Sequence, residues 1–592
     1  MLDYLIRGAT IVDGLGATPF SGDVGICDGI IVAIDSSIST AAKETVDAAG
    51  CIVTPGWIDI HTHYDGQATW DDVLDPSASH GVTSLVMGNC GVGFAPVHRG
   101  EEKDLIELME GVEDIPGTAL YEGMPWGAWE TFPQYLDYLD KRHYALDIGA
   151  MIAHGPVRAY AMGERGRNNQ APTASDLAAM GNIVEEAIEA GALGFSTSRT
   201  LFHQSLSGQP VPGTFADEVE LRTILAAMAR AGSGVFESVP GEAVADLIVD
   251  DSIPTLEAEI DMMGKLSRES GVPITWSFIQ DHSRPDKWQR MLERVGSLNE
   301  NGARLHPQVA SKPTSTLISL QTYHPFMRRK TYLSLRHLPH AERIAALQKP
   351  EVKAAILADD DIPHESPGSM ENFFQLAPMD YAMTFNAYDL DTEPQRDNAF
   401  DRLAARAGIS AEEYLYDFLL TDNGKAFAAR VFVNMADHSY SAMAQMFSNP
   451  HTVIGTHDAG AHVTLICDGV APTYQLTHWA RDRDPGRGPR HDLAQVVAKQ
   501  TANNARLYGL HDRGTLEIGK RADINVIDLT KLSLGPLEVK SDLPAGGNRL
   551  LRSASGYVAT FVNGCMTRRN DEDTGARPGR LIRAAKMSTR IC

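Results

Sequence analysis

The sequence predicts an α/β fold: a (β/α)8 TIM barrel, a small β domain made from both chain ends, and a large insertion before the last barrel strand. Three observations carry this. Through the middle of the chain, short apolar runs alternate with helix-length amphipathic stretches, the pattern of a parallel sheet with crossover helices. Eight such runs can be counted, the number a closed barrel needs. The two ends instead show brief bursts of alternation punctuated by Gly and Asp, as in antiparallel strands joined by tight turns.

In chain order, the first bursts are 4–13, 22–26 and 29–35, and the same grammar returns at 523–529 and 556–564. Neither end can bury a core alone, so residues 1–55 and 511–592 are expected to pair into one β domain; two separate appendages are the alternative. The eight barrel strands are expected at 57–61, 83–88, 147–153, 192–197, 234–238, 273–278, 303–309 and 452–456, within a barrel region 56–510. Among the helices, 175–190 carries Leu177, Met180, Ile183, Val184 and Ile188 at helical spacing behind a plausible N-cap. The stretch 310–450 is far longer than one crossover requires and contains helical segments at 350–357 and 410–420 and an aromatic segment at 373–381. It reads either as a lid or substrate-binding element or as a peripheral decoration or oligomer contact.

Composition bounds the function. With 592 residues, 43% apolar and 22% charged, the chain matches ordinary globular proteins, not disordered or fibrous ones. A net charge of −25 argues against nucleic acid or an anionic membrane as partner. Ten acidic residues against one arginine in 354–400 supply −9 of it. Six dispersed cysteines (Cys27, Cys51, Cys90, Cys467, Cys565 and Cys592) without CxxC suit a reducing compartment. No basic leader with a long apolar run opens the chain, and no apolar stretch is long enough to span a bilayer. A cytoplasmic protein acting on a small molecule is expected, with a homo-oligomer left open.

The sharpest local signal is Val53-Thr-Pro-Gly-Trp-Ile-Asp-Ile-His61-Thr-His63. Two histidines two apart on a strand face the same way, so both imidazoles can reach one metal ion. An isolated HxH is more often a surface or core pair. Here it follows a Pro-Gly turn and ends the first barrel strand, where a barrel's active site sits.

With this motif the chain resembles the amidohydrolase superfamily, and within it the N-acyl-D-amino-acid deacylase (D-aminoacylase) branch. The likeness extends to Gly88-Asn-Cys90-Gly-Val-Gly-Phe-Ala-Pro, Gly191-Ala-Leu-Gly-Phe-Ser-Thr, Ile454-Gly-Thr-His-Asp458-Ala-Gly-Ala-His462 and Gly519-Lys-Arg-Ala-Asp-Ile-Asn-Val-Ile-Asp. It implies a barrel joined to a β-sandwich from both chain ends. It implies that His61 and His63 are first-strand metal ligands, that Cys90 ligates metal, and that Asp458 touches the metal and shuttles a proton. Thiolate and imidazole suit zinc.

The chain departs from that branch in one respect. The deacylases supply two further histidines from strands five and six, whereas here these strands end Gly234-Val-Phe-Glu-Ser-Val-Pro and Ile274-Thr-Trp-Ser-Phe-Ile-Gln. No lysine ends strand four as in hydantoinases. One zinc per chain is therefore favoured, held by His61, His63 and Asp458 with Cys90 as fourth ligand; two remain open. Glu237 and His282 lie near the gap but off the motif positions, and His457 should point away from Asp458. For substrate, His154 and Tyr64 could line the pocket, and Arg158, Arg199 and Arg284 could hold a carboxylate; the basic loop 481–490 is a further source of charge. The favoured reading is hydrolysis of a linear amide in an N-acylated (D-)amino acid or related small acyl amide by metal-activated water. A mononuclear enzyme acting on a cyclic amide or amidine, or a metal-poor non-catalytic barrel, are the alternatives.

Overall fold

Strands from the two ends of the chain meet in one nine-stranded sheet in the computed structural model, which describes residues 1–243 and 252–584. Leu2–Ile11 runs antiparallel to Phe20–Cys27 and parallel to Ala42–Asp47 and Ile52–Pro55. Ile52–Pro55 then pairs antiparallel with Ile524–Ile527, which pairs with Tyr557–Val562. Alternation sends Ile6, Val24, Val53, Ile524 and Phe561 into a core of their own. The hairpin Ser533–Lys540 with Arg549–Ser555 is separate, and its Leu550 and Ala554 join the main core.

All eight expected barrel strands form, and their neighbours pair in parallel. Val453–Ile454, Leu305–Val309, Ile274–Phe278, Val235–Val239, Gly194–Ser198 and Ile152–Ala153 make a six-stranded sheet. Trp57–Thr62, Val82–Met87 and Asp147–Ala150 make a three-stranded one. The closed ladder of a complete barrel is not present among the described residues, which corrects that expectation. The third strand is split at Met151, whose N–H goes to Met87 O. The eighth ends after two residues, because the chain then turns through Thr456 and Asp458 in left-handed backbone. A single parallel bridge, Thr62 to Ala459, links the first strand to the eighth strand's continuation.

The 175–190 helix forms as Ala174–Glu189. Its N-cap is Thr173, in a reciprocal capping box with Asp176, and its buried face is Met180, Val184 and Ile188. The insertion builds an antiparallel sheet of Ser315–Ile318, Ala428–Val431 and Thr384–Asn386. The helices Pro350–Ala358 and Ala411–Leu419 flank it, and Ile318, Phe326, Ile356, Phe400 and Leu415 form its own core. No described helix is long and apolar enough to cross a membrane. The five described cysteines are free thiols, and Cys592 lies outside the described residues.

Candidate metal centre

His61 ends the buried Trp57–Thr62 strand and His63 follows it, both about 1% exposed. Each presents Nε2 to the same region, His61 with its Nδ1 bonded and His63 with its Nδ1 facing a carboxylate without a formed hydrogen bond. His61 Nδ1 lies 2.9 Å from Gln308 Oε1, and His63 Nδ1 lies 3.3 Å from Glu113 Oε1. Cys90 reaches that region from the loop after Val82–Met87. Its own φ is +59°, and the flanking turn requires glycine: a Cβ on Gly88 (φ +85°) would lie 2.2 Å from Met151 O, and one on Gly91 (φ +71°) 2.7 Å from Ser198 N. The Cys90 N–H donates to Glu237 Oε2 at 3.1 Å. Asp458 arrives from beyond the eighth strand in a left-handed conformation (φ +49°), a strain of about 1–3 kcal/mol that concentrates at functional sites.

Three donor atoms, His61 Nε2, His63 Nε2 and Cys90 Sγ, converge, and Asp458 approaches the two imidazoles. Cys90 Sγ lies 3.4 Å from His61 Nε2 and 3.8 Å from His63 Nε2. Asp458 Oδ1 lies 3.1 Å and 3.5 Å from the same two nitrogens. His61, His63 and Cys90 have their ligand atoms within 4.8 Å of one another, so these three fit a metal ion, with the Asp458 carboxylate beside the two imidazoles. The electrostatics agree. Burial would lower the His61 pKa, yet the Asp458 carboxylate and then Glu237 raise it to about 9. Burial lowers His63 to about 4 against the pull of Asp458. Burial would raise Asp458, but His61 holds it well below the carboxylate range. Burial also pushes the Cys90 thiol and the Glu113 carboxyl well above their ordinary ranges and Glu237 to about 7, with like charges from one another and from Asp458 adding to it. Several buried acids around two imidazoles are short of positive charge, which a cation would supply.

Beside the donors lies a cavity of about 140 Å³ lined by His61, Cys90, Asp458, His203 and His462 and, on the far side, by Phe202, Met370, Phe373, Phe432 and Leu465. The insertion contributes Met370, Phe373 and Phe432. At strand five Val239 lines the cavity, and strand six ends at Phe278. Glu237 bonds the Cys90 backbone, His282 Nε2 accepts from Met435 N–H at 3.1 Å, and His457 turns to Asp59, 3.3 Å away.

The other candidates are engaged in the protein itself. His154 bonds Thr197 and Glu220. Arg158 pairs with the same Glu220 and donates to Gln170 O. Arg199 pairs with Glu259 and Arg284 with Asp281. Tyr64 is buried with its hydroxyl on Ser77. Three residues were not singled out from sequence. Glu113, at the end of the helix Glu102–Glu113, faces His63 and sits 3.5 Å from His462 Nε2. Nothing local marks it. His462 closes a motif already quoted, so its signal was available. His203, bonded to Ser198 Oγ at 3.0 Å and kept neutral by burial, sits in a loop with no pattern.

The profile of the amidohydrolase family matches residues 44–567. The chain belongs to this family. The D-aminoacylase of Alcaligenes xylosoxydans xylosoxydans is 34% identical over 98% of this chain and 97% of its own length. Among solved amidohydrolase structures, that of a D-aminoacylase covers 98% of this chain and 100% of its own at 21% identity and TM-score 0.62. The N-acyl-D-glutamate deacylase of Bordetella bronchiseptica, complexed with zinc and a phosphonate inhibitor, has the same TM-score and coverage at 22% identity. As an amidohydrolase the chain is a hydrolase of carbon–nitrogen bonds other than peptide bonds.

Proposed function

We propose that this amidohydrolase is a mononuclear zinc-dependent deacylase that cleaves the linear amide of an N-acylated D-amino acid or a related small acyl amide. The carrying observation is the convergence of His61, His63 and Cys90, with Asp458 against the two imidazoles, at an apolar cavity. The 34% identity with a D-aminoacylase over nearly the whole chain supports the substrate class. Val239 and Ser277, the residues of strands five and six that line the cavity, are not metal-ligating types, which supports one ion and not two. We read the two parallel sheets as one barrel open at Met151 and at the eighth strand, with 1–55 and 511–592 as its β domain.

On this reading His61, His63 and Cys90 hold the ion, with Asp458 as fourth donor; imidazole and thiolate favour zinc. Zinc, when bound, supplies a Lewis acid that polarises a carbonyl oxygen and brings the pKa of water towards neutrality. Asp458 is ionised at neutral pH, and with Oδ1 turned to the imidazoles its Oδ2 is left to take a proton and return it to the departing amine. Gln308 holds the His61 imidazole by its Nδ1, and the Glu113 carboxyl stands 3.3 Å behind His63 Nδ1, so that Nε2 of each faces inward. The aromatic wall excludes water from the acyl amide.

Incubation with paired N-acetyl-D- and N-acetyl-L-amino acids and small lactams tests this. Release of free amino acid from the D-series is expected, and lost with Asp458→Asn. Turnover of lactams with none of any acyl amino acid would overturn the reading.

A further inference from the structure

Resting on the deacylase reading, we infer that Arg430 anchors the substrate carboxylate, so that the site takes an acyl amide with one anionic group and an otherwise apolar body. Arg430 lies on Ala428–Val431 in the insertion and is 7% exposed. Among the described residues no carboxylate comes within ion-pair distance of it; Asp380 acts on it only through its field. Its Nε and Nη1 are buried without an acceptor. Burial lowers its pKa to about 10, still cationic at neutrality. An unpaired guanidinium inside a protein is costly, and a fork of free donors matches a carboxylate.

Its position points to the cavity. Thr316 stands directly opposite Arg430 in the antiparallel ladder, and Phe432, just past the strand's end, extends the pairing with its N–H on Thr314 O, which places it near the same face as Arg430. Both Thr316 and Phe432 line the cavity, and the guanidinium lies 4.2 Å from the Phe432 ring centroid. Among the described residues no lysine or arginine lines the cavity itself. Arg158, Arg199 and Arg284 are each paired with carboxylates of the protein. One cation behind an aromatic wall can take one carboxylate, and a second, as in an acyl glutamate, finds no partner there.

Binding can be separated from turnover in an Asp458→Asn background by isothermal titration with N-acetyl-D-phenylalanine and with N-acetyl-phenethylamine, which lacks the carboxylate. The acid should bind about 10–100-fold more tightly, the range for a hydrogen-bonded charged contact. Arg430→Gln should erase that preference while leaving the neutral ligand unchanged and the thermal midpoint undiminished, and Arg430→Lys should restore part of it. No preference in the parent, a preference surviving in Arg430→Gln, or equal weakening of both ligands would overturn the inference. Amine release by the wild type tests the deacylase reading separately.

Discussion

Behind His63 stands a carboxyl fifty positions away in sequence, Glu113. Glu113 is 1% exposed, its Oε1 lies 3.3 Å from His63 Nδ1, and its neighbour Asp114 accepts from Tyr323 and Thr464. The end of one helix thus ties the HxH motif to the insertion and to the loop after the eighth strand. Such a carboxylate behind a metal histidine typically sets affinity by about 10–100-fold. Glu113→Gln is therefore expected to weaken zinc binding by about that factor in a competitive chelator titration, with circular dichroism unchanged. Unaltered zinc affinity in a folded variant would remove Glu113 from the account. His61, His63, Cys90 and Asp458 were legible because each sits in a short motif at a strand end. Glu113 was not, because its role exists only once the helix is packed.

At the scale of elements, the eight parallel strands were readable from apolar runs, and the helix at 174–189 from its spacing, two residues off at the cap because Thr173 outcompeted Ser175. Closure was not readable, since it fails at Met151 and beyond Ile454 through backbone geometry. The arginines misled for a related reason: sequence gives charge but not partner. His154 and Arg158 both converge on Glu220 of the helix Glu218–Ala231, joining the helix His154–Met162, which follows strand three, to that helix. Burial would raise the Glu220 pKa, but His154 and then Arg158 bring it down to about 2. Since the folded value is depressed, the stabilisation is present above the unfolded pKa near 4.5 and is lost as pH falls towards 2. Arg158→Ala should cost about 3–5 kcal/mol in denaturant unfolding at pH 7, because it leaves a buried carboxylate short of charge. The deficit should shrink as the pH falls from 4.5 towards 2. A cost below about 1 kcal/mol would mean that water reaches Glu220.

Across the whole molecule, four of the ten acids concentrated in 354–400 are answered by arginines outside that segment. Arg328 pairs with Glu371, Arg329 with Asp361, Arg483 with Glu393 and Arg552 with Asp391. None of the ten acids lines the cavity. An anionic substrate therefore meets an apolar wall and not a carboxylate fence. The two chain ends bind the same framework: Arg513 joins Asp147 of the third parallel strand at 2.6 Å and lies 3.7 Å from Asp523 at the edge of the shared sheet. The proposed function rests on one ion held by His61, His63 and Cys90 with Asp458 beside it. Elemental analysis of the purified protein tests this most directly. About one zinc per chain is expected, falling at least about tenfold in His61→Ala. A wild-type content near zero and indifferent to that substitution, or a content of about two, would contradict it.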